Sequence, residues 1–351
     1  MTTPNTQLTG LTAARAFLED QARVAEGFGS PFVAALLLAG ARHLDVAPHT
    51  AAMMADWPGD RASAAVAMRF HSALHGLARQ GRIAPLAALF RGEAVDVDHA
   101  LSSALVAADR IIAERLKHPT QTNEVGRSAA FAAALLQLAE RYAMPVELLE
   151  IGASAGLNLN LGRYRHDLGG RIVGDPDSEL TITPLWHGRL PPAAGLEVRT
   201  ARGVDLSPIR VADDAACDRL LDHLFVDQAE RGERLARALA IARRHPPRLD
   251  QGHAGLWLPQ RLERQQAAGC ARVVLHSMVL QYLAAKERQT ITDAIGAAGA
   301  RADIRRPLAV IGLEWTPARD AVHLTLTHWP EGRTRHLADC DPYGAWIDWR
   351  G

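Results

Sequence analysis

The sequence predicts an α/β domain preceded by a helical region, and three observations lead there. The first part of the chain is rich in Ala, Leu and Arg, with apolar positions at helical spacing such as Leu11, Ala14, Phe17, Leu18 and then Val33, Leu36, Leu37. From Pro145 onward short β-type runs alternate with helical patterns, the order of a parallel sheet crossed over by helices. The C-terminal part carries three strand-like runs with a turn signal between the last two.

Taken in order, breaks at Gly27–Pro31, Trp57–Asp60 and Lys117–Pro119 divide residues 1–143 into about six or seven helices, the last running through Ala129–Arg141. Val146–Ile151, apolar apart from two glutamates and ending at Gly152, reads as a strand buried in a parallel sheet. Residues 167–195 are rich in turn formers and read as a hairpin-like insertion containing Leu180–Thr183 and Trp186. A second strand is expected over Leu196–Val204, helix over Ala215–Arg244, a buried strand at Arg272–Leu275 and a helix around Thr290–Ala298. Leu308–Leu313, Val322–Thr327 and Thr334–Ala338 complete the series, with Trp329–Gly332 as a hairpin turn. Two domains are therefore expected, 1–143 helical and 144–351 α/β.

Composition narrows the function classes. Of 351 residues, 48% are hydrophobic and 22% charged, an ordinary globular balance. Lys+Arg and Asp+Glu are both 39, so no net charge draws the chain to nucleic acid or an anionic membrane. Cys217, Cys270 and Cys340 match no metal-binding spacing or disulfide framework, and the reducing cytoplasm is the expected compartment. Spacing alone assembles no metal site. The densest apolar stretch, Pro31–Ala41, falls short of the roughly 20 residues a bilayer span needs.

The segment with most chemical content is Glu150-Ile151-Gly152-Ala153-Ser154-Ala155-Gly156. A strand delivers an acid, small residues turn the chain, and a helix is expected from Leu157, whose first N–H groups would be unpaired and open to a ligand. This segment resembles motif I of class I S-adenosylmethionine-dependent methyltransferases, acid-x-Gly-x-Gly-x-Gly, with Ser154 at the middle glycine. The resemblance implies a Rossmann-like sheet, S-adenosylmethionine as cofactor, Gly152, Ser154 and Gly156 as its cradle, and Glu150 at the amino end of its methionine moiety. Asp205, ending the run Arg202-Gly203-Val204, looks like the acid that accepts from both ribose hydroxyls. It stands about twice as far from the glycine loop as the usual ~20 residues, a gap the insertion fills. Val273-Val274-Leu275-His276 resembles motif IV, with His276 at the polar position facing the transferable methyl. Arg127, on one helical face with Asn123, matches the methionine carboxylate. Where an acid often meets the adenine amine, the chain has His253.

The whole chain is also similar to the bacterial domain-of-unknown-function family 2332. The similarity rests on Gln121-Thr122-Asn123-Glu124-Val125, Glu150–Leu159, Gly174-Asp175-Pro176-Asp177-Ser178 and Val274-Leu275-His276-Ser277. That family implies no activity.

The expectation is thus a methyltransferase acting on an unspecified acceptor, with a small-molecule substrate. A non-catalytic ligand-binding module is the alternative. Gly152–Gly156 also spells G-x-S-x-G, the nucleophile elbow of serine hydrolases, but the helical region before it lacks the strands and oxyanion segment such enzymes place upstream.

Overall fold

A computed structural model describes residues 4–351 of the chain. Contacts divide it into two units: residues 1–122 with 218–232, and residues 123–217 with 233–351.

The first unit is helical. Its N-terminal part carries α1 (Pro4–Gly27), α2 (Pro31–His43), α3 (Pro48–Ala55), α4 (Val66–Arg79), α5 (Ala84–Phe90) and α6 (Val97–Leu116). Prolines open α2 and α3 at the first helical position, where a missing N–H costs nothing. Leu36, Leu37, Phe70, Leu74, Leu101 and Leu105 are almost fully buried and form its interior. Residues 218–232 return to this unit, where Phe225 meets the buried His71 ring edge-on at 5.2 Å.

The second unit begins ahead of the expected boundary at 143, because α7 (Ser128–Tyr142) belongs with the sheet. Its sequence, SAAFAAALLQLAERY, is apolar nearly all round, so the helix needs cover on every side, and it packs against the sheet. Ala143, in the left-handed conformation, ends it and Pro145 keeps it from continuing. Then follow β1 (Val146–Ile151), β2 (Arg165–Leu168), β3 (Arg171–Gly174), β4 (Thr181–Ile182), β5 (Leu185–Gly188) and β6 (Val198–Asp205), after which α8 (Asp214–Asp222) and the start of α9 (Ala229–Arg244) carry the segment 218–232 of the first unit. The remainder is β7 (Leu249–Gln251), α10 (Ala254–Leu262), β8 (Ala271–Ser277), α11 (Ala285–Gly299), β9 (Leu308–Trp315), β10 (Val322–Trp329), β11 (Arg333–Cys340) and β12 (Trp346–Trp349).

Nine strands make one sheet in the order β5-β12-β11-β10-β9-β8-β1-β6-β7. From β7 through β9 every neighbour is parallel, as the βα alternation predicts, and β1 lies between β6 and β8. From β9 to β12 the strands form an antiparallel meander, with the segment Thr334–Ala338 antiparallel to β10. Of the insertion, β2, β3 and β4 form a small separate sheet, while β5 extends the main sheet beside β12.

Alternation along β1 sends Leu149 and Ile151 into a cluster with Val204, Val274, Trp257 and Leu258 of α10 and Ile291 of α11. Leu148 and Glu150 point to the other face and are equally buried. At the start of the strand, Arg272 of β8 donates to Glu147 at 2.8 Å and to the Arg264 carbonyl at 2.9 Å, closing the C-terminal end of α10. The three cysteines are buried and unpaired. Among the described residues no helix is long and apolar enough to cross a membrane.

Because Leu149 is 3% exposed and sits at the centre of the cluster, Leu149→Ala is expected to cost about 2–5 kcal/mol, transfer and cavity terms together. A denaturant titration that shows a loss under 1 kcal/mol contradicts this placement of the core.

Candidate functional site

The chain lays down β1, β6 and β7 in one direction across the sheet, then returns to place β8 and β9 on the other side of β1. The strand order therefore reverses between β1 and β8, and the crevice beyond their carboxyl ends is where open α/β sheets bind ligands. Glu150, the loop 152–156, Asp205 and His276 all lie at these ends.

In the loop, Gly152, Ser154 and Gly156 have φ of 69°, 52° and 69°, so every second residue is left-handed. A Cβ on Gly152 would fall 2.4 Å from Val279, and one on Gly156 would fall 2.7 Å from Pro247. The close approach these glycines permit is thus made by the chain's own side chains. Ser154 adopts at some cost a conformation that favours glycine.

Asp205 binds this loop to the end of β6. One carboxylate oxygen accepts from Ser154 N–H at 2.8 Å, the other from Ser207 N–H at 2.9 Å. Asn123, itself left-handed at φ 38°, accepts at Oδ1 from the N–H groups of both Ala155 and Leu157, each at 3.1 Å. The expected α-helix with unpaired N–H groups is therefore corrected on two counts. Asn123 occupies the first of those donors, at Leu157, together with the Ala155 N–H of the loop, and the segment is a 3-10 helix, Leu157–Arg163. Leu157 through Leu161 are all buried, with no solvent face for a helical stripe, and the Tyr164 hydroxyl donates to the Leu157 carbonyl at 2.5 Å. That carbonyl is the acceptor that an α-helical N–H from Leu161 would use.

Beneath the loop lies Glu150, 2% exposed. Burial pushes its carboxyl up to about 8, helped by the nearby Asp205 charge; the Asn158 amide and the Arg127 charge oppose this only in part. Asn158 Nδ2 donates to one carboxyl oxygen at a long 3.5 Å. The other oxygen of Glu150 and the Oδ1 of Asn158 are both buried with no hydrogen-bond partner. Two neighbouring buried polar atoms without partners are a costly arrangement in a protein interior, and more so if the carboxyl is ionised. Arg127, in the short 3-10 turn Val125–Arg127, is buried nearby; its Nε donates to the Pro342 carbonyl at 2.8 Å, and its Nη1 lies 3.5 Å from Ser277 Oγ. The turn at residues 341–345 packs so closely on Gly126 that a Cβ there would fall 2.5 Å from the Tyr343 carbonyl.

On the other side of β1, His276 sits at the end of β8 with Nδ1 2.8 Å from Glu314 Oε1 on β9. The same oxygen accepts from the Val279 and Leu280 N–H groups at 3.2 and 3.4 Å, which fixes it in place. A carboxylate at Nδ1 orients the imidazole, and the opposite edge of the ring lies over Gly312 of β9. Glu314 was missed by sequence reasoning because it is on the neighbouring strand, and only the β8–β9 register brings it to His276. His253, by contrast, is exposed at the start of α10, its nearest acid being Glu287 at 3.9 Å. A groove of about 530 Å³, bordered by Arg163, Arg199, Arg244 and Arg248, lies toward the opposite end of β6 and shares none of these groups.

Ser154 Oγ is buried and has no hydrogen-bond partner. A nucleophilic serine needs an exposed hydroxyl with a base in reach, so the G-x-S-x-G pattern here is a turn without the accompanying machinery.

The model of the family described as "Uncharacterized protein conserved in bacteria (DUF2332)" matches residues 15–349. Comparison with curated proteins and with solved structures gives no match.

Two expectations follow. Glu150 has a folded value near 8 against an ordinary 4.5, so its favourable contribution is complete below about pH 4.5 and is lost as pH rises through 8. Native protein should lose on the order of a few kcal/mol of stability across that range, and Glu150→Gln should flatten the profile. Equal pH profiles for the two proteins would contradict a buried, neutral Glu150. Ser154→Gly removes a left-handed strain and an orphaned hydroxyl and should raise stability by about 1 kcal/mol. A fluorophosphonate probe should leave native Ser154 unlabelled, and stoichiometric labelling would restore the hydrolase reading.

Proposed function

The chain belongs to the DUF2332 family of bacterial proteins, and from that premise we propose that it binds S-adenosylmethionine at the carboxyl ends of β1, β6 and β8 and transfers its methyl group. The observation that carries this reading is the pair of orphaned buried acceptors, Glu150 Oε2 and Asn158 Oδ1, under the loop of a strand-order reversal. Once Glu150 gives up its proton, an ammonium group is the donor that such a pair lacks, and the neighbouring Arg127 guanidinium suits a carboxylate. Together they match the two charged ends of an α-amino acid, which the methionine moiety of this cofactor carries.

Asp205 fits the sugar end. Its carboxylate accepts from the N–H groups of Ser154 and Ser207 and stands at the end of β6, the place where a ribose diol would meet an acid while the loop stays held. When bound, the cofactor supplies an electrophilic methyl on a positively charged sulfur. The chain's part is to hold an acceptor in line with it and to take the acceptor's proton. His276, held by Glu314 at the end of β8, is the nearby imidazole that could take that proton, though its Nε2 edge lies over Gly312 and would have to turn to reach an acceptor. Small-molecule acceptors are the class the reading favours, since the formal net charge of zero gives no general attraction to nucleic acid.

Binding should be linked to protons in a definite sense. At pH 7 the Glu150 carboxyl, raised to about 8, is mostly protonated, and a ligand ammonium favours the carboxylate. Calorimetry with S-adenosylmethionine or S-adenosylhomocysteine, repeated in buffers of different ionisation enthalpy, should show release of up to about one proton per ligand. Affinity should rise between pH 6 and 8, and both effects should vanish in Glu150→Gln. No binding of either ligand to folded native protein sinks the proposal; binding with no proton release removes Glu150 from the contact.

A further inference from the structure

A second cluster of titratable side chains lies outside this cleft, on the meander. In β10 and β11, His323 and Asp339 are directly opposed in register. His336, three residues before Asp339, should face the other side of a regular strand. The pairing slips here: Leu324 opposes Ala338 and Thr325 opposes His336, leaving Leu337 as an extra residue. This bulge turns His336 to the same face as His323 and Asp339, and it explains why Leu337 and Ala338 are buried side by side.

The three side chains converge. Both imidazole Nε2 atoms approach Asp339 Oδ1, at 3.3 Å from His323 and 2.9 Å from His336, and the two rings lie 4.1 Å apart. Neither approach has hydrogen-bond geometry, and Oδ1 is a buried oxygen without a hydrogen-bond partner. The other carboxylate oxygen is held by Arg350, which fixes the orientation of the group. One potential ligand atom from each residue lies within 4.8 Å of the others.

We propose that His323, His336 and Asp339 form a binding site for a divalent first-row transition cation of the zinc type. Ligand atoms each about 2.0 Å from a tetrahedral zinc stand about 3.3 Å apart, close to the separations found here. Two imidazoles and one carboxylate suit such a cation and not magnesium or calcium, which take oxygen ligands. With three protein ligands, a coordination position stays open for water or a substrate atom. All three residues are part-exposed or exposed, so the open side faces solvent. His336 Nε2 also lies 2.9 Å from the Ala338 carbonyl, a contact the metal-bound form must give up. Register creates this site: the histidines are on different strands, and no spacing in the sequence announces it.

The test uses the full-length native chain, freed of metal with a chelator, and Zn²⁺ or Co²⁺ alone as probe. Calorimetry should give one Zn²⁺ per chain with micromolar or tighter affinity. Co²⁺ should produce the visible absorption of a low-coordinate site, and azide should perturb it through the open position. His336→Ala and Asp339→Asn should each weaken binding at least tenfold, and His323→Ala/His336→Ala should abolish it, with circular dichroism confirming that each variant is folded. Absence of one-to-one binding to native protein overturns the proposal, as does undiminished binding to the folded double variant. Neither outcome depends on S-adenosylmethionine.

Discussion

A strand buried on both faces must be covered twice, and β1 imposes that requirement on the second unit. Leu149 and Ile151 need α10 and α11 on one side, while Leu148 and Glu150 are buried on the other. Placing a carboxylic acid in such a strand would be ruinous if it had to stay ionised. Burial raises its carboxyl to about 8 and so favours the neutral form, and the acid is tolerated at the cost of polar atoms left without partners. The rest of the site is arranged around that constraint. Asn158 and Arg127 moderate the acid, Asp205 and Asn123 pin the loop above it, and Tyr164 secures the segment that follows.

Much of this order was legible in the sequence. The runs Val146–Ile151 and Arg272–Leu275 announced buried parallel strands, because short, mainly apolar runs bounded by turn formers suit a strand covered on both sides. The terminal strands were equally plain, since VHLTLTHW alternates at period two. Asp205 and Glu150 stood out as acids at strand ends. Two features were hidden. Apolar periodicity in α7 looked the same as in the preceding helices, and only its lack of any polar face signals that it serves the sheet. The segment after Gly156 looked like a helix start, but the competing donors and acceptors come from Asn123 and Tyr164, whose positions depend on tertiary structure. Glu314 and the pairing of His336 with Asp339 depend on register, and local sequence does not encode it.

The two polar centres differ in how they restrict solvent. Glu150 and Asn158 are enclosed, so a ligand reaching them must bring its own donors and shed its water. His323, His336 and Asp339 are part-exposed on the meander, so their cluster opens to solvent on one side. Discrimination at the first follows from leaving buried groups unpaired, while the second selects by the softness of its ligand atoms.

The division of the chain also governs its synthesis. Residues 1–122 leave the ribosome well before residues 218–232, which the helical unit needs for contacts such as Phe225 on His71. The first unit to be made is therefore not the first that can be finished. Its contacts with residues 218–232 can form only after the early strands of the second unit have been made. A fragment ending near residue 122 would lack those contacts, the packing of Phe225 on His71 among them.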